Sequence, residues 1–159
     1  MTTPSPFLGI ISGERRRTHA EIADRADRIA SGLHQLGVKP GDSVCMLMRN
    51  DIAFLEAAYA AMRLGAYGVP INWHFKPEEI NYILNDTGTS VLIGHADMLH
   101  ALRDAIPKGV TVLSVPTPPE ILSNYKIDPD HLKTRTSRSI SSLGSRSSSP
   151  MTARSCRSP

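Results

Sequence analysis

From Thr18 to Leu36 apolar side chains return at Ile22, Ala26, Ile29, Leu33 and Leu36. Steps of four and three residues place them on one face of a helix. Thr18 and Glu21 supply a T-x-x-E capping box, in which each side chain satisfies an otherwise orphaned N–H at the helix start. Gly37 suits the left-handed residue that closes it. Asp24, Arg25, Asp27 and Arg28 lie mostly off the stripe and read as a solvated face. The run SVCMLM at 43–48 is different: continuously apolar, short and bounded by turn residues, as a parallel strand covered on both faces should be. Asp51 can cap a second helix with Ile52, Leu55, Ala58, Tyr59 and Met62 inward and Gly65 at its end. AYGVPI at 66–71 is a second strand, and Pro70 makes it an edge or marks its end. Pro77, Glu78 and Glu79 suit the first turn of a third helix, with Ile80, Ile83 and Leu84 inward and Asp86-Thr87-Gly88 as its stop. SVLIGH at 90–95, a short helix over 96–105 and VTVLSV at 110–115 complete the pattern.

Strands that alternate with helix-length crossovers imply an open, doubly wound, mostly parallel α/β sheet with helices on both faces. The regular pattern occupies 15–116. Residues 1–14 read as an N-terminal arm, 117–133 as an irregular, Pro-containing linker, and 134–159 as a Ser/Arg-rich, disordered tail.

Charge sharpens that division. The 159 residues carry 18 Lys and Arg against 15 Asp and Glu, a formal charge of +3. The tail holds ten Ser, five Arg and no acidic residue, which leaves 13 basic and 15 acidic residues in 1–133, a net charge of −2. A near-neutral body has no electrostatic footprint for nucleic acid. Two cysteines, Cys45 in an apolar run and Cys156 in the tail, form no disulfide framework. Cys45 reads as a small buried hydrophobe. The N-terminus lacks a signal-peptide pattern, and no segment approaches 18 apolar residues. A reducing, cytoplasmic setting is the expectation.

Candidate chemistry is sparse. Asn72, His74 and His95 lie at or just beyond carboxyl ends of strands, where doubly wound sheets bind ligands, but no complete constellation surrounds them. His95 and His100 form H-x-x-x-x-H about Asp97. That spacing spans a strand–helix junction, so both read as surface or capping histidines rather than metal ligands. Ser12, Ser43, Ser90 and Ser114 lie in no G-x-S-x-G elbow. Neither G-x-G-x-x-G nor G-x-x-x-x-G-K-[ST] occurs, and Gly144 has no Gly-Lys pair after it. Arg15-Arg16-Arg17 reads as a solvated loop before the first helix, with contact to an anion as the alternative. No catalytic, cofactor-binding or metal-ligating residue is assigned.

The order of several words goes further than any one of them. T-H-A-E-I-A-D-R-A, L-G-V-K-P-G-D-S-V, N-D-I-A-F-L-E-A-A-Y-A-A-M-R-L-G-A and V-P-I-N-W-H-F-K-P-E-E-I-N-Y-I-L-N-D-T follow one another across about 15–115. Together they resemble the N-terminal region of the adenylate-forming, AMP-binding superfamily, bacterial acyl-CoA synthetases in particular. The resemblance implies an ATP-dependent, AMP-forming carboxylate–CoA ligase. Such enzymes join a carboxylic or fatty acid to the α-phosphate of Mg-ATP, and CoA thiolate then displaces AMP. Charge developing on phosphoryl oxygen calls for backbone N–H groups, Lys and Mg²⁺. In the family a Ser/Thr/Gly-rich loop ending P-K-G and a later lysine supply them. Neither occurs in these 159 residues, so the chain alone is expected to be inactive and to hold no ATP, Mg²⁺ or CoA. The alternative is a small α/β interaction module with a basic Ser-rich arm.

Three readings of the tail stand beside this: an Arg/Ser interaction arm, a plain disordered terminus, or a shifted reading frame. One permitted codon choice from Arg135 onward, read two nucleotides later, gives D-F-A-I-D-F-E-S-W-L-E-E-Q-Q-P-Y-D-G-P-V-V-P-V-P. That string is acidic and amphipathic and resembles what precedes the phosphate loop in the family. The frame shift is the expectation.

Overall fold

The structure, a computed structural model, describes residues 7–102, 104–126 and 138–139. Apart from Arg138–Ser139, the tail expectation falls outside them. The chain opens with a hairpin, β1 (Gly9–Ser12) antiparallel to β2 (Arg15–Thr18). Its two-residue loop begins at Gly13 with φ 58, the first-position glycine that a II′ turn favours. Then follow α1 (His19–Gln35), β3 (Ser43–Leu47), α2 (Ile52–Arg63), β4 (Tyr67–Pro70), α3 (Pro77–Asp86), β5 (Val91–His95), α4 (Ala96–Ala101), β6 (Thr111–Val115), α5 (Pro119–Tyr125) and the two-residue β7 (Arg138–Ser139). β3 to β7 form one sheet in the order β4-β3-β5-β6-β7, with every neighbour parallel. This is the doubly wound α/β sheet that the sequence pattern implies.

Local signals explain where elements start and stop. The capping box of α1 forms in full: the Glu21 N–H donates to Thr18 Oγ1 at 3.2 Å, and the Thr18 N–H donates to Glu21 Oε2 at 2.8 Å. Gly37 takes the left-handed conformation, φ 93. Asp51 Oδ1 accepts from the Phe54 N–H at 3.2 Å and caps α2. α3 has half a box, because the Lys76 N–H donates to Glu79 Oε2 at 2.7 Å while a lysine side chain has no acceptor to return. Pro70 sits on the edge strand, opposite Met46, as its missing donor requires.

Period two within each strand sorts the core into two layers. Val44 and Met46 of β3, Val91 and Ile93 of β5, and Leu113 and Val115 of β6 pack with Ile29, Leu33, Ala57, Ala60 and Ala61 of α1 and α2. The alternate residues Cys45, Leu47 and Leu92 pack with Ile80 and Leu84 of α3 and Met98 and Leu99 of α4. Apolar runs without polar interruption are the consequence of having helices on both sides.

Several expectations change. The inner face of α2 is Ile52, Glu56, Ala57, Ala60 and Ala61, whereas Tyr59 and Met62 point outward, Met62 with 69% of its surface exposed. Small residues allow α1 and α2 to pack closely, and that selects the alanine face over the bulkier one. The charged side of α1 is not simply solvated. Arg25 Nε donates to Glu56 Oε1 at 2.6 Å, with Glu56 buried, and Asp27 pairs with Arg63. Arg15-Arg16-Arg17 is strand β2 rather than a loop. The helix after β5 ends at Ala101, short of the 105 expected, and residues 119–125, read as irregular, form α5.

Two substitutions test the two layers. Leu33→Ala should cost about 2–5 kcal/mol, because Leu33 is fully buried between α1 and the sheet. Gly94→Val should cost about 1–3 kcal/mol, since even a Cβ there would lie 2.7 Å from Leu99 Cδ2 and 3.1 Å from Leu47 O. Urea unfolding followed by circular dichroism measures both.

Candidate functional site

The strand order reverses between β3 and β5, and the crevice beyond their carboxyl ends is where an open α/β sheet places its ligand site. β3 delivers Arg49, Asn50 and Asp51 to that crevice, and β5 delivers His95, Ala96 and Asp97. Here the crevice is filled by the protein's own charges. The Arg49 guanidinium donates to both Asp97 oxygens, at 3.0 and 2.6 Å. Thr117, just beyond β6, donates its hydroxyl to Asp97 Oδ1 at 2.6 Å and accepts from the Asp97 N–H at 3.2 Å. His95 Nδ1 accepts from the Arg49 N–H at 3.1 Å. That bond assigns the ring proton to Nε2, which lies 3.6 Å from Asp51 Oδ2 with no hydrogen-bond partner. Arg15 reaches from the hairpin to Asp51 Oδ2 at 3.3 Å and to Glu120 of α5 at 3.3 Å.

Asp51 and Asp97 are both largely buried. Burial alone would raise each carboxyl. For Asp51 the His95 ring, the Phe54 N–H and Arg15 outweigh it, and for Asp97 the bonds from Arg49 and Thr117 do so. Both therefore stay below the ordinary carboxylate value. Burial also leads the upward shift of the Cys45 thiol, against hydrogen bonds from Thr87 and Thr89, in keeping with a buried hydrophobe rather than a nucleophile.

The residues singled out from the sequence do not converge. His95 is fully buried, not the surface or capping histidine expected: it occupies the position before α4 but makes no side-chain cap. The Arg49 N–H and the covering carboxyl-end loops hold it inside. His100 is exposed at the end of α4, so the two histidines share no site. Asn72 and His74 lie in an exposed turn after β4, where Asn72 Oδ1 accepts from the His74 N–H at 3.0 Å and the His74 ring lies against Trp73. Ser43 and Ser90 are at the amino ends of β3 and β5, away from His95. Of the residues that do meet, Arg49, Thr117 and Glu120 were not singled out, Asp51 was assigned only a helix cap, and Arg15 and Asp97 were noted only in the basic run and between the two histidines. A signal was present: charged residues follow two apolar runs at equivalent places, Arg49 and Asp51 after one, His95 and Asp97 after the other.

The pattern of AMP-binding enzymes matches residues 5–148, more than the 15–115 span of the resemblance, and reaches into the Ser/Arg-rich stretch. The chain belongs to the AMP-binding enzyme family. A feruloyl-CoA synthase of Amycolatopsis is 37% identical over 111 residues, covering 65% of this chain and 23% of that protein. The long-chain-fatty-acid–CoA ligase FadD13 of Mycobacterium tuberculosis is 40% identical over 102 residues, covering 62% and 20%. Among solved structures, the anthranilate CoA ligase AuaEII in complex with anthranoyl-AMP matches with a TM-score of 0.62 at 26% identity, over 68% of this chain and 22% of that one. The chain spans about a fifth of the length of the curated relatives it matches, and corresponds to an N-terminal portion of the adenylate-forming superfamily. The AMP-binding family uses ATP and CoA.

The crevice, as the described residues line it, does not fit a triphosphate. Two carboxylates lie in it, the Arg49 guanidinium is already bound through both Asp97 oxygens, and among the described residues no glycine-rich backbone turn faces it. No chemical step is assigned to it. Among the described residues, no helix is long and apolar enough to cross a membrane.

These pairs make stability depend on acid. Carboxyls held below their ordinary value contribute fully above that value, and the contribution is lost as pH falls through it toward the lower folded values. Thermal unfolding should therefore weaken on acidification through and below the ordinary Asp range, and Asp97→Asn should flatten that dependence. Arg49→Ala, which leaves Asp97 without its cation, should cost about 3 kcal/mol at neutral pH.

Proposed function

We propose that this chain is the scaffold portion of an AMP-forming carboxylate–CoA ligase. In the whole enzyme a carboxylic or fatty acid attacks the α-phosphate of Mg-ATP, pyrophosphate leaves, and CoA takes the acyl group from AMP. The 159 residues supply a sheet, its flanking helices and a rigid carboxyl-end junction, while the groups that stabilise phosphoryl charge belong to other parts of the ligase fold. The match to AMP-binding enzymes over 5–148 carries this reading. Support comes from the sequence, in which Pro107-Lys108-Gly109 follows no Ser/Thr/Gly-rich run and no Gly-Lys phosphate loop occurs, and from a switch-point crevice lined by ion pairs. Within the chain, 15–116 is the α/β subdomain proper, 117–133 links onward, and 134–159 is the Ser/Arg-rich tail, of which Arg138–Ser139 pair with β6. A reducing, cytoplasmic setting accords with the buried, free Cys45.

ATP–pyrophosphate exchange with a panel of carboxylic acids tests the scaffold role. The purified 159-residue chain should give no exchange above a protein-free blank, and carboxylate-dependent exchange would show that it carries catalytic groups after all.

A further inference from the structure

We infer that residues 116–126, with α5 at their centre, form a strap that opens as a unit over the carboxyl-end junction, and that Arg49 is the residue that positions its latch. The chain leaves the sheet at Val115, which is buried, and is at once tied down at Thr117, which keeps only 6% of its surface exposed. The Thr117 hydroxyl donates to and accepts from Asp97, and Asp97 is oriented by the two-pronged Arg49 guanidinium. A planar fork is the side chain suited to holding a carboxylate in one orientation.

Next to that latch Pro118 is buried as well, and among the described residues from Pro119 onward no side chain of the strap is fully buried. α5 has seven residues, too few to be stable on its own. Ile121 and Leu122 are only half-buried, Pro119, Glu120, Ser123 and Asn124 are exposed, and the helix ends at Lys126 in the left-handed region, φ 51. The second tie, Glu120 to Arg15, joins side chains 51% and 40% exposed, where solvent screening leaves an ion pair weak. A segment whose described residues show burial only at Thr117 and Pro118 and one screened tie beyond them has the low local stability of a unit that opens ahead of the core. Opening uncovers Asp97 and Arg49 at the crevice between β3 and β5. Arg49 also lies over the ring of Trp73, 6.0 Å from its centroid, and Trp73 is the only tryptophan in the chain. Its fluorescence therefore reports on the latch.

Hydrogen exchange on the 159-residue chain, read by mass spectrometry, tests this. Thr117→Val keeps the shape and removes the hydroxyl, and should speed exchange across 119–125 by roughly tenfold or more, the worth of a hydrogen bond to a charged group. Amides of α1 and β3 should be unchanged. Arg49→Lys, which cannot grip both oxygens, should produce the same local effect and alter Trp73 emission. Unchanged exchange at 119–125, or a rise shared equally by α1 and β3, overturns the inference. If the variants fold poorly, native-state exchange of the unaltered chain in low denaturant decides it. A strap requires 119–125 to open at lower denaturant than α1 and β3, and a single common transition excludes it.

Discussion

Everything in this molecule depends on burying both faces of two adjacent parallel strands, β3 and β5. Their side chains alternate between two apolar layers, Val44, Met46, Val91 and Ile93 on one side and Cys45, Leu47 and Leu92 on the other. A sheet that is apolar on both faces is stable only with helices on each. Parallel pairing also demands crossovers long enough to hold a helix. α1 and α2 cover one layer, α3 and α4 the other, and β4 and β6 extend the sheet at either side.

The same pairing creates the polar junction. β3 and β5 end side by side, so the charged residues that follow each run come together, with Asp51 and Asp97 largely buried. A buried carboxylate is tolerable only with partners. Asp97 takes Arg49 and Thr117, while Asp51 takes Arg15 and its capping bond to Phe54. The partners come from the hairpin, the end of β3 and the start of the strap, and the junction thereby ties the hairpin and the strap to the middle of the sheet. Among the described residues, the crevice where doubly wound sheets receive ligands is spanned by ion pairs, in a chain that corresponds to about a fifth of an AMP-binding enzyme.

Much of the fold was legible because its signals are local. Thr18, Glu21 and Gly37 bound α1, and Pro70 marks β4 as an edge. What was not legible depended on neighbours. Tyr59 and Met62 have the spacing of an inner face, yet alanines occupy it, because the close approach of α1 to α2 rewards small side chains and the capture of buried Glu56 by Arg25 fixes the helix rotation. The hairpin was missed because three consecutive arginines show no alternation, and α5 because two prolines precede only one short apolar pair. For the site, family membership was readable from the order of several short words. The junction was not, since Arg49, Asp97 and Thr117 are far apart in sequence and each alone looks like an ordinary loop residue.

The sequence by itself determined the alternation of strands and helices, the caps that delimit them and the family to which they belong, for these reside in spacings of two to four residues and in word order. Only the tertiary structure decided which face of α2 is buried, that His95 lies inside rather than at the surface, and that the carboxyl-end crevice is closed by ion pairs. Those outcomes turn on which groups parallel pairing brings within hydrogen-bond distance once water is excluded, and distance along the chain carries no record of that.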